Sequence, residues 1–199
     1  MSPQDMRGTL IERTIQVVAS DGIDKATTKA IVAGTGINEA YIYRRFLSKD
    51  DLLARSFENV EQGLVDNILK HMDVMSVREL DYETRCRAFF MRVWKFMLGN
   101  KEKCLFYVRY YYSPYFLEYS IKEHMERYKP VVEEFKLAFT EETDAWMILN
   151  HILNVMLDFA VKVHNGQMPD EDIYAELVFR VVYASTEQYF KKTEEIEEL

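Results

Sequence analysis

Thr27, Thr28, Asn38, Glu39, Ala40, Tyr41, Tyr43, Arg44, Arg45 and Lys49 are gathered in one stretch, TTKAIVAGTGINEAYIYRRFLSKDDLL, running from Thr27 to Leu53. Between them they offer hydroxyls, an amide, a carboxylate and cations, the groups that hydrogen-bond phosphate oxygens and base edges. Their chemistry is recognition. A bond-making centre is not legible in the chain: there is no G-x-S-x-G elbow, no phosphate-cradling Gly loop, and no H-E-x-x-H or Glu-x-x-His helical metal motif. His71, His124, His151 and His164 lie far apart in sequence, and none has a carboxylate spaced to form a relay. No catalytic residue, metal or cofactor is therefore expected, and His151 reads as a core or interface histidine.

The recognition residues need rigid elements behind them, and the same stretch supplies two short helices. Thr27 is a good N-cap for a helix to about Gly34, with Ile31 and Val32 on its inward face. Gly36 allows a sharp turn, Ile37 plugs the core beneath it, and Asn38 caps a second helix from about Glu39 to Phe46 whose inward residue is Ile42. Glu39, Ala40, Tyr41, Tyr43 and Arg44 then face outward, a surface that suits a DNA groove. Such a pair cannot bury its own apolar side. A first helix, from about Asp5 to Ser20, brings Leu10, Ile11, Ile15, Val17 and Val18 to cover it. Ser48 and Asp51 form a capping-box-like start for a long helix that runs through Phe57, Val60, Leu64 and Ile68 to about Met72. Lys49 sits unfavourably in its first turn, at the positive end of the helix dipole, and a phosphate partner would explain it.

The continuation Ile42-Tyr43-Arg44-Arg45-Phe46, then Ser48-Lys49-Asp50-Asp51-Leu52-Leu53, resembles the signature of the TetR family of transcriptional regulators. The resemblance runs from about Leu10 to Phe57; beyond it the likeness is one of architecture. It implies that the Thr27 and Thr28 hydroxyls and Lys49 hold backbone phosphate, and that the body binds a small-molecule effector. It also implies that the last two helices meet a twofold mate as a four-helix bundle, making a homodimer on double-stranded DNA. Glu39 departs from the family pattern, in which a small polar or basic residue is frequent, and Asp50 and Asp51 crowd Lys49. A glutamate can accept from a cytosine amino group, so it points to a distinctive operator. The alternative is a helical interaction module that has lost sequence-specific DNA binding.

In the body, a helix from about Asp81 to Leu98 buries Cys86, Phe89, Phe90, Val93, Trp94 and Met97, with Arg85, Arg92 and Lys95 on the opposite side. The belt KCLFYVRYYYSPYFLEY follows. Tyr107, Tyr110, Tyr111, Tyr112 and Tyr119 bring many hydroxyls, and each one buried needs a partner. A pocket is therefore expected here, with Phe90, Trp94, Met97, Tyr107, Tyr110, Tyr111, Asn150 and Asn154 as its ligand-binding residues. Ser113-Pro114 restarts a helix, and Pro130 predicts a kink or break near Tyr128. A helix from about Glu142 to His164 is apolar nearly all round, with Asn150, Asn154 and Asp158 as one polar stripe. The last helix starts after Pro169, and the tail TEEIEEL reads as an acidic frayed end.

The long 3.6-periodic runs, with seven Gly and four Pro in 199 residues, predict an all-α fold of nine helices. Residues 1–47 form the helix-turn-helix DNA-binding domain and 48–199 the ligand-binding and dimerisation domain. A net charge of -8 looks adverse to DNA until it is divided along the chain. The first 55 residues carry eight Lys or Arg against seven Asp or Glu, so the acid lies in the body and binding is oriented head-first. Cys86 and Cys104 match no paired ligand spacing and fit a reducing cytoplasm. With no signal-peptide core and no uninterrupted apolar run of membrane-spanning length, a cytoplasmic chain without a membrane is expected.

Overall fold

The computed structural model describes residues 3–191; the acidic tail TEEIEEL lies outside the described residues. These residues form ten α-helices joined by turns and short 3-10 segments, and one isolated antiparallel bridge, Phe139 to Phe190, is their only β pairing. The chain divides into two compact units. One holds residues up to Leu64 together with Glu102–Glu126, and the other holds Val65–Lys101 with the residues from Arg127 onward.

In the first unit, α1 (Pro3–Asp21), α2 (Thr28–Val32), α3 (Ala40–Arg45) and the first part of α4 (Lys49–His71) contribute a continuous set of buried residues. Leu10, Ile15 and Val18 from α1, Ile31, Ile42, and Leu52 and Leu53 from α4 are fully buried. That is the apolar layer two such short helices cannot make alone. The second helix ends at Val32, two residues before Gly34, because both Gly34 and Gly36 adopt positive φ, +76° and +73°. Two left-handed residues make the turn where one was expected. Thr27 caps α2 by accepting from the Ala30 amide at 3.1 Å. Ser48 accepts from the Asp51 amide while the Asp51 carboxylate accepts from the Leu47 amide, each at 3.0 Å. The capping box at the start of α4 is thus made from both sides.

The same unit holds α6 (Lys101–Tyr111) from Glu102 on, α7 (Pro114–Tyr119) and the first turns of α8 (Ile121–Lys136). Ten helices form instead of nine because the chain breaks at Ser120, between α7 and α8. There the Ser120 amide closes on the Phe116 carbonyl, and its hydroxyl pairs with Tyr110 Oη at 2.8 Å. No break occurs near Tyr128: α8 runs through Pro130. The proline forfeits one backbone bond, but Tyr128 and Val131 on either side of it are fully buried and hold the helix in register.

In the second unit, α5 (Tyr82–Leu98), α9 (Ala145–His164) and α10 (Asp172–Thr186) pack pairwise on one another. Asp81 caps α5 through the Thr84 amide, and Asp144 caps α9 through the Met147 amide. By length and composition α9 could cross a membrane. It buries Ile148, Leu149, Leu153, Met156, Leu157 and Ala160 within this unit and carries Asn150, Asn154 and Asp158 on its flanks.

Candidate functional site

The turn between α2 and α3 fixes which α3 residues face solvent. Ile42 is buried, while Glu39, Ala40, Tyr43, Arg44 and Arg45 are exposed, Tyr43 at 61%. Asn38 accepts from the Ala40 amide at 2.8 Å and so orders the first turn, although Glu39 is the capping position. The Thr28 hydroxyl donates to the Glu39 carboxylate at 2.6 Å, joining the start of α2 to the start of α3. Arg45 Nε donates to the Tyr41 hydroxyl at 3.1 Å. Lys49 lies over the Tyr115 ring at 5.5 Å, with Asp50 3.9 Å away. Thr27, Thr28, Asn38, Glu39, Ala40, Tyr41, Tyr43, Arg44, Arg45 and Lys49 therefore lie at the start of α2, at the entry to and along α3, and at the start of α4, all at least partly accessible. A surface of donors, one carboxylate and several cations can meet phosphate and base edges together.

The second unit contains a cavity of about 280 Å³ bounded by α5, α8, α9, α10 and the turn before α5. Its wall is largely apolar: Met75, Phe89, Phe90, Phe135, Phe139, Ile152, Met156, Phe179 and Val182. Tyr82, Cys86, Tyr183 and Thr186 add polar atoms. Burial pushes the Cys86 thiol and the Tyr183 hydroxyl up to about 12, and raises Tyr82 further. All three are neutral at physiological pH. Arg85 is different. It was expected on the solvated side of α5, yet it is 4% exposed, donates from Nη1 to the Met75 carbonyl at 2.9 Å, and packs over the Tyr82 ring. Its Nε is buried without a hydrogen-bond partner. The legible signal was the four-residue spacing from Arg85 to Phe89, which puts the two on one helix face.

Of the residues expected to bind ligand, Phe90 lines this cavity, stacked on Trp94 and 5.5 Å from Phe179. Trp94 and Met97 are buried on the same helix but outside the lining, and the Met97 carbonyl accepts from His164. Asn150 and Asn154 bond to each other along α9 at 2.5 Å and do not line it either. Tyr107, Tyr110 and Tyr111 belong to the first unit. There Tyr107 and Tyr110 pack on Phe57 at 5.1 and 4.7 Å, while Tyr111 packs on Phe116 at 4.5 Å. Burial pushes Tyr110 up to about 12.

The same cluster holds a contact that sequence spacing did not predict. His124 Nδ1 hydrogen-bonds the Glu61 carboxylate, both side chains buried, beside Phe57, Tyr111 and Phe116. Glu61 lies far upstream of His124, so no local pattern announces the pair. Among the described residues, no three His, Cys, Asp or Glu side chains converge as a metal site would require.

A three-helix head with a tight glycine turn and an exposed, cation-rich third helix is the geometry of a helix-turn-helix. The sequence profile of the family described as bacterial regulatory proteins, tetR family, matches residues 10–55. Over nearly its whole length the chain also has the fold of solved TetR-family regulators. A TetR family transcription regulator from Marinobacter aquaeolei VT8 superposes with a TM-score of 0.74 at 16% identity, covering 96% of this chain and 100% of that one. The transcriptional regulator FadR from Bacillus subtilis, in complex with stearoyl-CoA, gives 0.68 at 15% identity over 88% and 96%. Residues 10–55 thus resemble the tetR family of bacterial regulatory proteins, and the chain shares the fold of these solved structures. It is also 31% identical over 81 residues to the nucleoid occlusion factor SlmA of Shewanella frigidimarina, 41% of this chain and 39% of that protein. It thus spans about two fifths of that relative's length.

Proposed function

We propose that the chain is a ligand-responsive transcriptional repressor, released from a near-palindromic operator by a small apolar effector. The outward face of α3 carries the proposal, because Ile42 anchors that helix while Glu39, Tyr43, Arg44 and Arg45 stay free of the core. In this reading residues 1–47 bind DNA, residues 48–199 bind effector and dimerise, and the chain works in the cytoplasm without enzymatic activity, metal, cofactor or membrane. The exposed Ile173, Leu177 and Val181 of α10, four residues apart, and Met147 of α9 support a homodimer through these two helices. A twofold pair presents two recognition helices to successive major-groove faces about 34 Å apart.

Labour in the head is divided between phosphate and bases. Tyr43, Lys49 and Thr27 hold phosphate; Glu39, Tyr41 and Arg44 read bases. Effector binding in the cavity acts on DNA affinity through α4, whose residues belong to both units. A tenfold loss of affinity needs a coupling free energy of only about 1.4 kcal/mol.

Selection of binding sites from random-sequence DNA tests the proposal: a near-palindromic site should be enriched, with affinity falling steeply as salt rises. Lys49→Ala should weaken all sequences alike and lower the salt slope by about one. Glu39→Ala should instead relax preference at one symmetric pair of positions, by about 1–3 kcal/mol for the preferred base. If no sequence is enriched, the chain is an interaction module without sequence-specific DNA binding. Exposed Leu117, Ile121 and Met125 on α7 and α8 favour that second reading.

A further inference from the structure

We infer that the cavity of the second unit takes a small apolar monocarboxylate, and that Arg85 receives the carboxylate. The inference rests on the reading of this cavity as the effector site and adds the chemical class of the effector. Three observations lead to it. The wall is dominated by phenylalanine, methionine and aliphatic side chains, which fit a hydrocarbon or aromatic body. At about 30 Å³ for each water-sized group, a cavity of about 280 Å³ accepts on the order of nine such groups.

The second observation is the state of Arg85. A guanidinium cannot shed its charge, so burial must be answered by partners. Arg85 has one carbonyl, that of Met75, and the face of Tyr82, and it forms no ion pair among the described residues. Its buried Nε still has no acceptor, while the tyrosines and the thiol around it are neutral at physiological pH. A carboxylate is the complement that a planar guanidinium fork fits best.

The third observation limits the charge of the ligand. Arg78 and Glu134 also border the cavity, both exposed and opposite in charge. With that pair offsetting each other, the one buried cation of the lining, Arg85, matches one negative charge. A second negative charge on the ligand would find no second buried cation in the lining, and a cationic ligand would meet Arg85.

Titration calorimetry of the full chain with octanoate, octanol and octylamine tests this. Octanoate should bind at least about tenfold more tightly than octanol, and octylamine more weakly than either. Arg85→Met should lower octanoate affinity by about 10- to 100-fold while leaving octanol affinity unchanged, and Arg85→Lys should retain part of the preference. Circular dichroism establishes whether each variant folds; the three-ligand series on the unaltered chain decides the matter even if neither does. Equal binding of octanol and octanoate, or a preference for octylamine, overturns the inference and leaves the cavity a ligand site. Absence of binding by all three overturns both. If octanoate binds through Arg85 yet leaves affinity for the selected DNA unchanged, the carboxylate site stands and the effector-released repressor does not.

Discussion

Phe57 in the first unit and Phe89 in the second both sit among aromatic side chains, but their surroundings are closed in one case and open in the other. Around Phe57, Tyr107, Tyr110, Phe116 and His124 fill the space, Tyr110 finds Ser120, and His124 finds Glu61. Around Phe89 there is a cavity, and the buried Arg85 in its wall keeps an unmatched Nε. Aromatic richness does not distinguish a core from a binding site. The distinction lies in whether the rings leave space between them, and in whether a permanent charge among them is matched by the protein itself.

The sharpest way to break this comparison is to truncate one ring from each assembly. Phe57→Ala should cost about 3–5 kcal/mol of stability, because a fully packed ring leaves a cavity behind. Phe89→Ala should cost less than about 2 kcal/mol, since a half-buried side chain facing an existing void forfeits fewer contacts. Urea denaturation of both variants measures the pair, and equal losses would erase the contrast. A smaller effect is expected at the polar centre of the closed cluster. Glu61→Leu should destabilise by about 1–3 kcal/mol, because the buried His124 Nδ1 loses its carboxylate partner. Full stability in that variant would show that the pair is dispensable to the packing.

The shallowest effect is alkaline. Tyr110 in the closed cluster, and Tyr183 and Cys86 at the cavity, are each pushed up to about 12 by burial. Such groups hold their protons longer folded than unfolded. Their stabilising contribution is complete below the unfolded values, near 9 for the thiol and near 10 for the tyrosines, and is lost as pH climbs towards about 12. Thermal midpoints recorded between pH 8 and 12 should therefore decline from about pH 9 upward. A flat profile would mean that these side chains reach solvent in solution.

Much of the head is legible from the sequence because its signals are local. The Thr27 cap, the Ser48–Asp51 box and the glycine turn each lie within a few residues, and each forms. What was not legible is tertiary. An arginine reads as a solvated charge by type, so Arg85 was set opposite the apolar face, although its bond to Met75 and its place beside Phe89 bury it. Counting hydroxyls in the tyrosine belt predicts a pocket, but the meeting of Ser120 with Tyr110 depends on a helix break at Ser120 and not near Pro130, where proline chemistry predicts one. The Glu61–His124 pair lies beyond any periodicity argument.

The hydrogen bond from Thr28 to Glu39 has a consequence for how the α3 surface meets a partner. A free glutamate side chain samples many rotamers, and confining it on binding forfeits on the order of 1–2 kcal/mol of conformational entropy. Here the confinement is completed on folding, by a hydroxyl fixed at the first turn of α2. On the proposal that Glu39 reads a base, its carboxylate enters the encounter already aimed, and a wrong base would meet a stiff group instead of one that swings aside. On that proposal the rigidity of one contact would penalise mismatches, and Thr28→Val should loosen discrimination without touching Glu39 itself.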